Sequence, residues 1–301
     1  MAIFTIVGLT LKEAWRKKTV LGALLLGALV LAFSLLLILI KARMNYMVAH
    51  HSRGWDADRM AYEYPNACGL VTIMCLFFIR VLGMLFGRLL AGGAISGEIE
   101  AGLLAVILAK PVPRWQILLG KWLGLNLVAL CSVVVWTALL WFSIKEQWPR
   151  PATIPLERIL SVAPYLALYS VMACTLTLMF STVFHRVLGT SLTLVVAVVS
   201  WCDGIFNFLG DRFEVPILHT LADFSCLLMP QGYVAWWIRG LTEDFTDNLP
   251  TESPLHSSRL LQEWGSQHLH FAHLDAVYVA FYLIAVLALG ILLFHRREIQ
   301  G

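Results

Sequence analysis

Long apolar runs, broken by short charged clusters, set the pattern of this chain. Six of them are long enough to cross a bilayer as helices: Val20–Ile40, Leu70–Ala94, Ile117–Phe142, Leu160–Phe184, Leu188–Leu209 and Leu274–Phe294. A span takes about 20 mainly apolar residues. None of the runs shows the alternation of a barrel strand facing lipid on one side and a lumen on the other. Helices remain, because every backbone polar group in lipid must be satisfied inside its own segment. The pattern therefore predicts an all-α integral membrane protein of six transmembrane helices, one transmembrane domain over residues 1–301. Composition supports this: 59% of residues are hydrophobic and 14% charged, against roughly 25% charged in soluble domains. The first run exceeds the roughly 7–15 apolar residues of a cleavable signal core, so it is expected to stay as the first span.

The polar segments give the orientation. Residues 1–19 are amphipathic and basic at their end, TIVGLTLKEAWRKK from Thr5 to Lys18. A helix lying in the membrane interface fits this pattern; a tail running straight into the first span is the alternative. Lys12, Arg16, Lys17, Lys18, Lys110, Arg114, Arg186, Arg296 and Arg297 crowd the short segments on one side. The longer segments of the other side carry most of the acids, among them Asp56, Asp58, Glu63, Asp211, Glu214, Glu243, Asp244 and Asp247. Positive charge marks the cytoplasmic side, which places both termini there, with Lys41 and Arg43 against the trend. The net charge of +3 is thus the sum of a basic inner and an acidic outer face, and implies no nucleic acid. Residues 210–273 form the longest outer segment. Within it, the run Leu227–Leu241 after Pro230 is too short to span and predicts a re-entrant or interfacial helix.

The segment at residues 95–116 carries the most informative motif. It reads ISGEIEAGLLAVILAKPVPRWQ. Glu98, Glu100, Lys110 and Arg114 make it too polar to cross a membrane, yet it joins two spans. Glu98 and Glu100 suit a helix start through the macrodipole, Leu103, Leu104, Ile107 and Leu108 recur at helical spacing, and Pro111 and Pro113 stop the helix. The expectation is a short helix, Glu98–Leu108, parallel to the membrane. It serves either as a docking surface for a driving partner or as an ordinary loop helix packed on its own spans.

The order E-x-E-x-G, a short apolar helix, Lys-Pro-Val-x-Arg and then Ile-Leu-Leu-Gly-Lys resembles the first cytoplasmic loop of ABC type-2 exporter permeases. The likeness extends along the chain, through the basic N-terminal segment, six spans, a long outer segment and the ending HRREI. It is nearest to the branch that includes the permease of nitrous-oxide-reductase maturation. Leu103 departs from the Thr or Ser common after this glycine. The resemblance implies a permease subunit of an ATP-driven exporter in a bacterial cytoplasmic (inner) membrane. It implies a homodimer carrying two separate ABC ATPase subunits, which bind ATP and Mg. It makes Glu98, Glu100, Gly102, Leu104 and Leu108 the coupling helix, flanked by Arg114, with Arg186 in a second contact. The chain itself holds no G-x-x-x-x-G-K-[ST], so a phosphate-cradling loop is missing. No enzyme activity is expected of it.

Ionisable residues inside a membrane are functional candidates. Arg80 falls mid-span in the second run, and Trp201, Asp203 and Asn207 cluster in the fifth. These four are the pathway candidates, with an Arg80–Asp203 pair as one arrangement and a purely structural register pair as another. Arg88 reads as a residue snorkelling to the inner interface. His268, His270 and His273 have spacing that could hold copper or zinc, but no Cys or Met stands beside them, and solvated histidines are the ordinary reading. The six cysteines form no C-x-x-C pair, and most fall within spans as small apolar fillers. An ion-coupled secondary transporter and an intramembrane enzyme are the competing functions. The lack of an internal repeat weighs against the first, and the lack of a nucleophile–base constellation against the second.

Overall fold

The computed structural model describes residues 2–16, 57–102, 113–144, 156–231, 234 and 272–296, with positions 21, 22, 25–29, 32, 33, 36 and 40. Within these ranges the side chains at 57–71, 73, 156, 158, 203–205, 208, 226 and 272–275 are outside the description. The described elements are all helices: α1 (Ala2–Arg16), α2 (Ala57–Ala91), α3 (Ser96–Glu100), α4 (Arg114–Ile144), α5 (Leu156–Val183), α6 (Arg186–Trp201), α7 (Asp203–Phe213), α8 (Pro216–Leu228) and α9 (Ala272–Arg296). Among the described residues, four stretches are long and apolar enough to cross a membrane: Met74–Glu100, Arg114–Ser143, Ile159–Val183 and Ala276–Arg296. They coincide with the second, third, fourth and sixth predicted runs. Of the first run, the described positions are helical. Phe33 meets Phe78 edge-on at 4.5 Å between ring centroids.

The helix α5 is the hub. Its apolar window is 67% buried, against 22% for α9, so α5 is central and α9 peripheral. It packs against α2, α4, α6 and α9. Its polar residues are adapted to burial. Thr175, Thr177, Ser181 and Thr182 are all buried, and each hydroxyl donates to a carbonyl three or four residues earlier in the same helix. Such back-bonding satisfies a hydroxyl without leaving the helix. Thr175 and Thr177 also bond across helices, to Trp122 Nε1 at 2.8 Å and Thr193 Oγ1 at 3.1 Å.

The N-terminal helix is clamped onto α4. Thr10 and Ala14 are buried on one side of α1, while Phe4, Leu9 and Trp15 are exposed on the other. The contact works because Gly120 and Gly124 offer no side chain. A Cβ on Gly120 would stand 2.7 Å from Ile6 Cβ, and one on Gly124 2.9 Å from Thr10 Cβ. Small residues four apart let helix backbones approach in this way.

The fifth predicted run, Leu188–Leu209, is not one helix. It breaks at Cys202, where α6 ends in a tight turn with the Cys202 N–H donating to Val199 O. Asp203 then opens α7, a position where an acid is favoured by the macrodipole. Glu214 adopts the left-handed conformation, φ 54°, and the Val215 N–H reaches back to Gly210 O, which closes α7. Pro216 starts α8, which runs back to pack against α6. The returning chain is fixed there: Ser200 Oγ donates to Met229 O, and Tyr169 Oη to Gln231 O at 3.1 Å. Most of the helix predicted after Pro230, Leu227–Leu241, lies outside the described residues.

Gly120→Leu should separate α1 from α4. Overpacking of this kind costs about 1–3 kcal/mol. A thermal melt in detergent should show the loss, and a protease should cut faster beyond Arg16. An unchanged melt and cleavage rate would contradict the clamp.

Candidate functional site

The segment between α2 and α4 is a built corner. Ile95 is fully buried and Ser96 nearly so, and the Ser96 hydroxyl donates to Gly92 O at 3.4 Å. The short helix α3 begins at Ser96, before Glu98, and ends at Glu100. Its last carbonyls are closed by the Ala101 N–H on Gly97 O and the Gly102 N–H on Ile99 O. Gly102 then takes φ +68°, a conformation that costs other residues about 1–2 kcal/mol. The single helix expected over Glu98–Leu108 is therefore interrupted at Gly102. Leu104 and Leu108 lie outside the described residues.

The two acids of α3 have different fates. Glu98 turns inward and forms an ion pair with Lys121 of α4; the side chains are 13% and 6% exposed. Lys121 Nζ also donates to Ala94 O, one of the carbonyls after the end of α2. Lys121 is thus a buried cation paired with one carboxylate and hydrogen-bonded to one carbonyl. Glu100, Ala101 and Gly102 are exposed.

Two further cations complete this end of the molecule. Arg114 opens α4, and its Nη1 donates to Phe294 O at 3.1 Å and His295 O at 3.2 Å. It therefore caps the last turn of α9, where orphan carbonyls and the helix dipole both favour a cation. Arg186, exposed at the first position of α6, runs across Gly93: a Cβ there would lie 3.3 Å from Arg186 Cδ and Nε. The predicted coupling residues Glu98, Glu100, Gly102, Arg114 and Arg186 are thus at one end, with Glu98 and Arg114 turned to internal contacts and Glu100, Gly102 and Arg186 exposed.

A second site lies deeper. Arg80 of α2 is half-buried, with its guanidinium carbon 4.2 Å from the centroid of the Tyr169 ring and 5.4 Å from that of Trp201. Trp201 in turn stacks on Phe77 at 5.9 Å. Arg80 and Trp201 are therefore together. Asn207 lies beyond the break, on α7, where its Oδ1 meets His219 Nδ1 at 3.3 Å. The side chains of Asp203 and His273 are outside the description, as are His268 and His270 altogether. Among the described residues no group of three or more His, Cys, Asp or Glu is placed to hold a metal. Tyr169, Gln231 and Tyr282 join this region without having stood out in the sequence. A polar residue within an apolar run was the available signal for all three. Arg88 does not snorkel. It is 5% exposed, and its Nη1 is buried without a partner.

Residues 4–299 match the family model described as ABC-2 family transporter protein. The chain belongs to that family. This permease is accordingly a multi-pass membrane component of an ABC transporter, and its family, described as a membrane component rather than the catalytic one, associates with ABC ATPase subunits. Comparison with curated proteins returns no match.

Removing one partner of a buried ion pair costs about 3–5 kcal/mol, because the other charge stays buried. Lys121→Met and Glu98→Gln should each destabilise the permease by that order in a detergent unfolding titration. The double variant should lose clearly less than the two added together. Strict additivity would show that the pair is not coupled.

Proposed function

We propose that two copies of this permease assemble as a homodimer, each carrying one ABC ATPase subunit, and export a cargo across a bacterial cytoplasmic membrane. ATP and Mg are bound and turned over in the ATPase. The reading that the chain belongs near the nitrous-oxide-reductase maturation branch is part of the proposal, as are six spans with both termini cytoplasmic. The exposed apolar side of α1, with Phe4, Leu9 and Trp15, supports an interfacial elbow that lipid covers.

One observation carries the reading. Exposed Glu100–Gly102 and exposed Arg186 lie at the same end, and Arg186 crosses the backbone of the first loop at Gly93. Two segments far apart in sequence thus meet at this end of the molecule. On this reading Glu100, Gly102 and Arg186 touch the ATPase, and Leu104 and Leu108 supply its apolar seat. Glu98 and Arg114 hold the surface in place from behind. Ion pairs at such a rim set partner choice and association rate.

The permease should co-purify with an ABC ATPase in mild detergent. Charge reversal at both Glu100→Arg and Arg186→Glu should lower the bound ATPase about tenfold, since like-charge juxtaposition costs on the order of a few kcal/mol. Gly102→Pro should uncouple ATP hydrolysis from transport with insertion intact, because proline fixes φ near −65°. Leu104→Asp should do the same. Wild-type coupling in all of these variants would overturn the proposed surface.

A further inference from the structure

We propose that Arg80, Trp201, Gln231 and Tyr282 form a binding site for a cargo bearing an anionic group, carboxylate or phosphate, beside a hydrogen-bond donor. The inference rests on reading the chain as a permease and names the cargo chemistry of its interior.

Four polar atoms without partners belong to residues of one packed region. They are Arg80 Nε, Trp201 Nε1, Gln231 Oε1 and Tyr282 Oη, all buried. Gln231 is 1% exposed and Tyr282 9%. Tyr282, Tyr169, Met84, Met172 and Met229 belong to one apolar cluster, with Trp201 packed on it. Arg80 lies over Tyr169, and the Tyr169 hydroxyl donates to the Gln231 carbonyl. Native structures leave few buried polar groups unpaired, and each needs an explanation.

The donors match an anion. A guanidinium on an aromatic face is oriented but not neutralised, because the ring carries no net charge. Among the described residues no carboxylate pairs with Arg80, whereas Lys121 has Glu98 and Arg114 has two carbonyls. Arg88 also has an unpaired nitrogen, but the residue is only 5% exposed, while Arg80 is half-buried. Arg80 Nε and Trp201 Nε1 are donors only. Tyr282 Oη can donate as well. Gln231 Oε1 is an acceptor and requires a donor on the ligand; its Nε2 is already directed at Ala197 O, at 3.4 Å, and Met229 Sδ, at 3.1 Å. A hydroxyl or amide N–H next to the anionic group meets that requirement. Phe77, 42% exposed and stacked on Trp201, offers an apolar surface for the remainder of the molecule.

The test is calorimetric titration of the full chain in phosphatidylcholine nanodiscs, with empty nanodiscs to subtract partitioning. The probes are N-dodecanoyl-serine, 1-dodecanoyl-glycerol 3-phosphate, whose free hydroxyl lies beside the phosphate, and the uncharged dodecyl maltoside. Saturable binding of at least one anionic probe is expected, and none of the maltoside. Which anion binds tighter separates a carboxylate cargo from a phosphate one. Arg80→Gln should weaken that binding about tenfold or more, and Trp201→Phe severalfold, as loss of hydrogen bonds to a charged group requires. Arg212→Gln, in exposed α7, removes a charge elsewhere and should bind as wild type. If Arg80→Gln fails to insert, Trp201→Phe decides alone. Equal binding of the maltoside, no saturable anion binding, or undiminished binding by the decisive variant would overturn the site. No ATPase is present, so such a failure leaves the permease reading standing; ATPase co-purification tests that separately.

Discussion

The structure turns on one buried cation. Lys121 lies at the start of α4 but is held by Glu98 of α3 and by the Ala94 carbonyl beyond α2. A charge taken out of water must be compensated where it sits. It can be compensated here only if the end of α2, the helix α3 and the first turns of α4 keep fixed positions relative to one another. The segment between two spans is thereby converted from a tether into a corner. A tether absorbs a push; a corner passes it to both spans it joins.

The rest of the assembly follows from the absence of a hydrophobic driving force between helices in lipid. There, close packing of small residues and hydrogen bonds across helices do the work. The α1–α4 contact at Gly120 and Gly124 is of the first kind. The Trp122–Thr175 and Thr177–Thr193 bonds are of the second. The first ties α1 to α4, and the second ties α5 to α4 and to α6.

Four spans were legible because length and apolarity are local properties, and a local window reads them. Arg80 and Trp201 were legible for the same reason, as polar or amphipathic groups in apolar runs. The pairing of Lys121 was not legible, because its partners lie 23 and 27 residues back, beyond any helical period. The α7–α8 return was hidden because Leu188–Leu209 is apolar on both sides of Cys202, and composition does not register a change of direction. The break at Gly102 was signalled by the glycine, but the leucines after it argued for continuity. Glu98 and Glu100 are alike in sequence and two residues apart; only their facing, set by a short helix that starts at Ser96, separates an internal tie from an exposed charge.

Arg114 has a mechanical consequence. It grips the final carbonyls of α9, the least buried of the four spans among the described residues. At 1.5 Å per residue the 25 residues of α9 make a rod about 38 Å long. A rod held firmly at one end and loosely along its length behaves as a lever. A sideways shift of about 2 Å at the Arg114 end, with the far end still, would tilt it by about 3° over that length. Displacement at the corner is thus recast as rotation of a whole helix, and α9 registers what happens at the far end of the chain's first half.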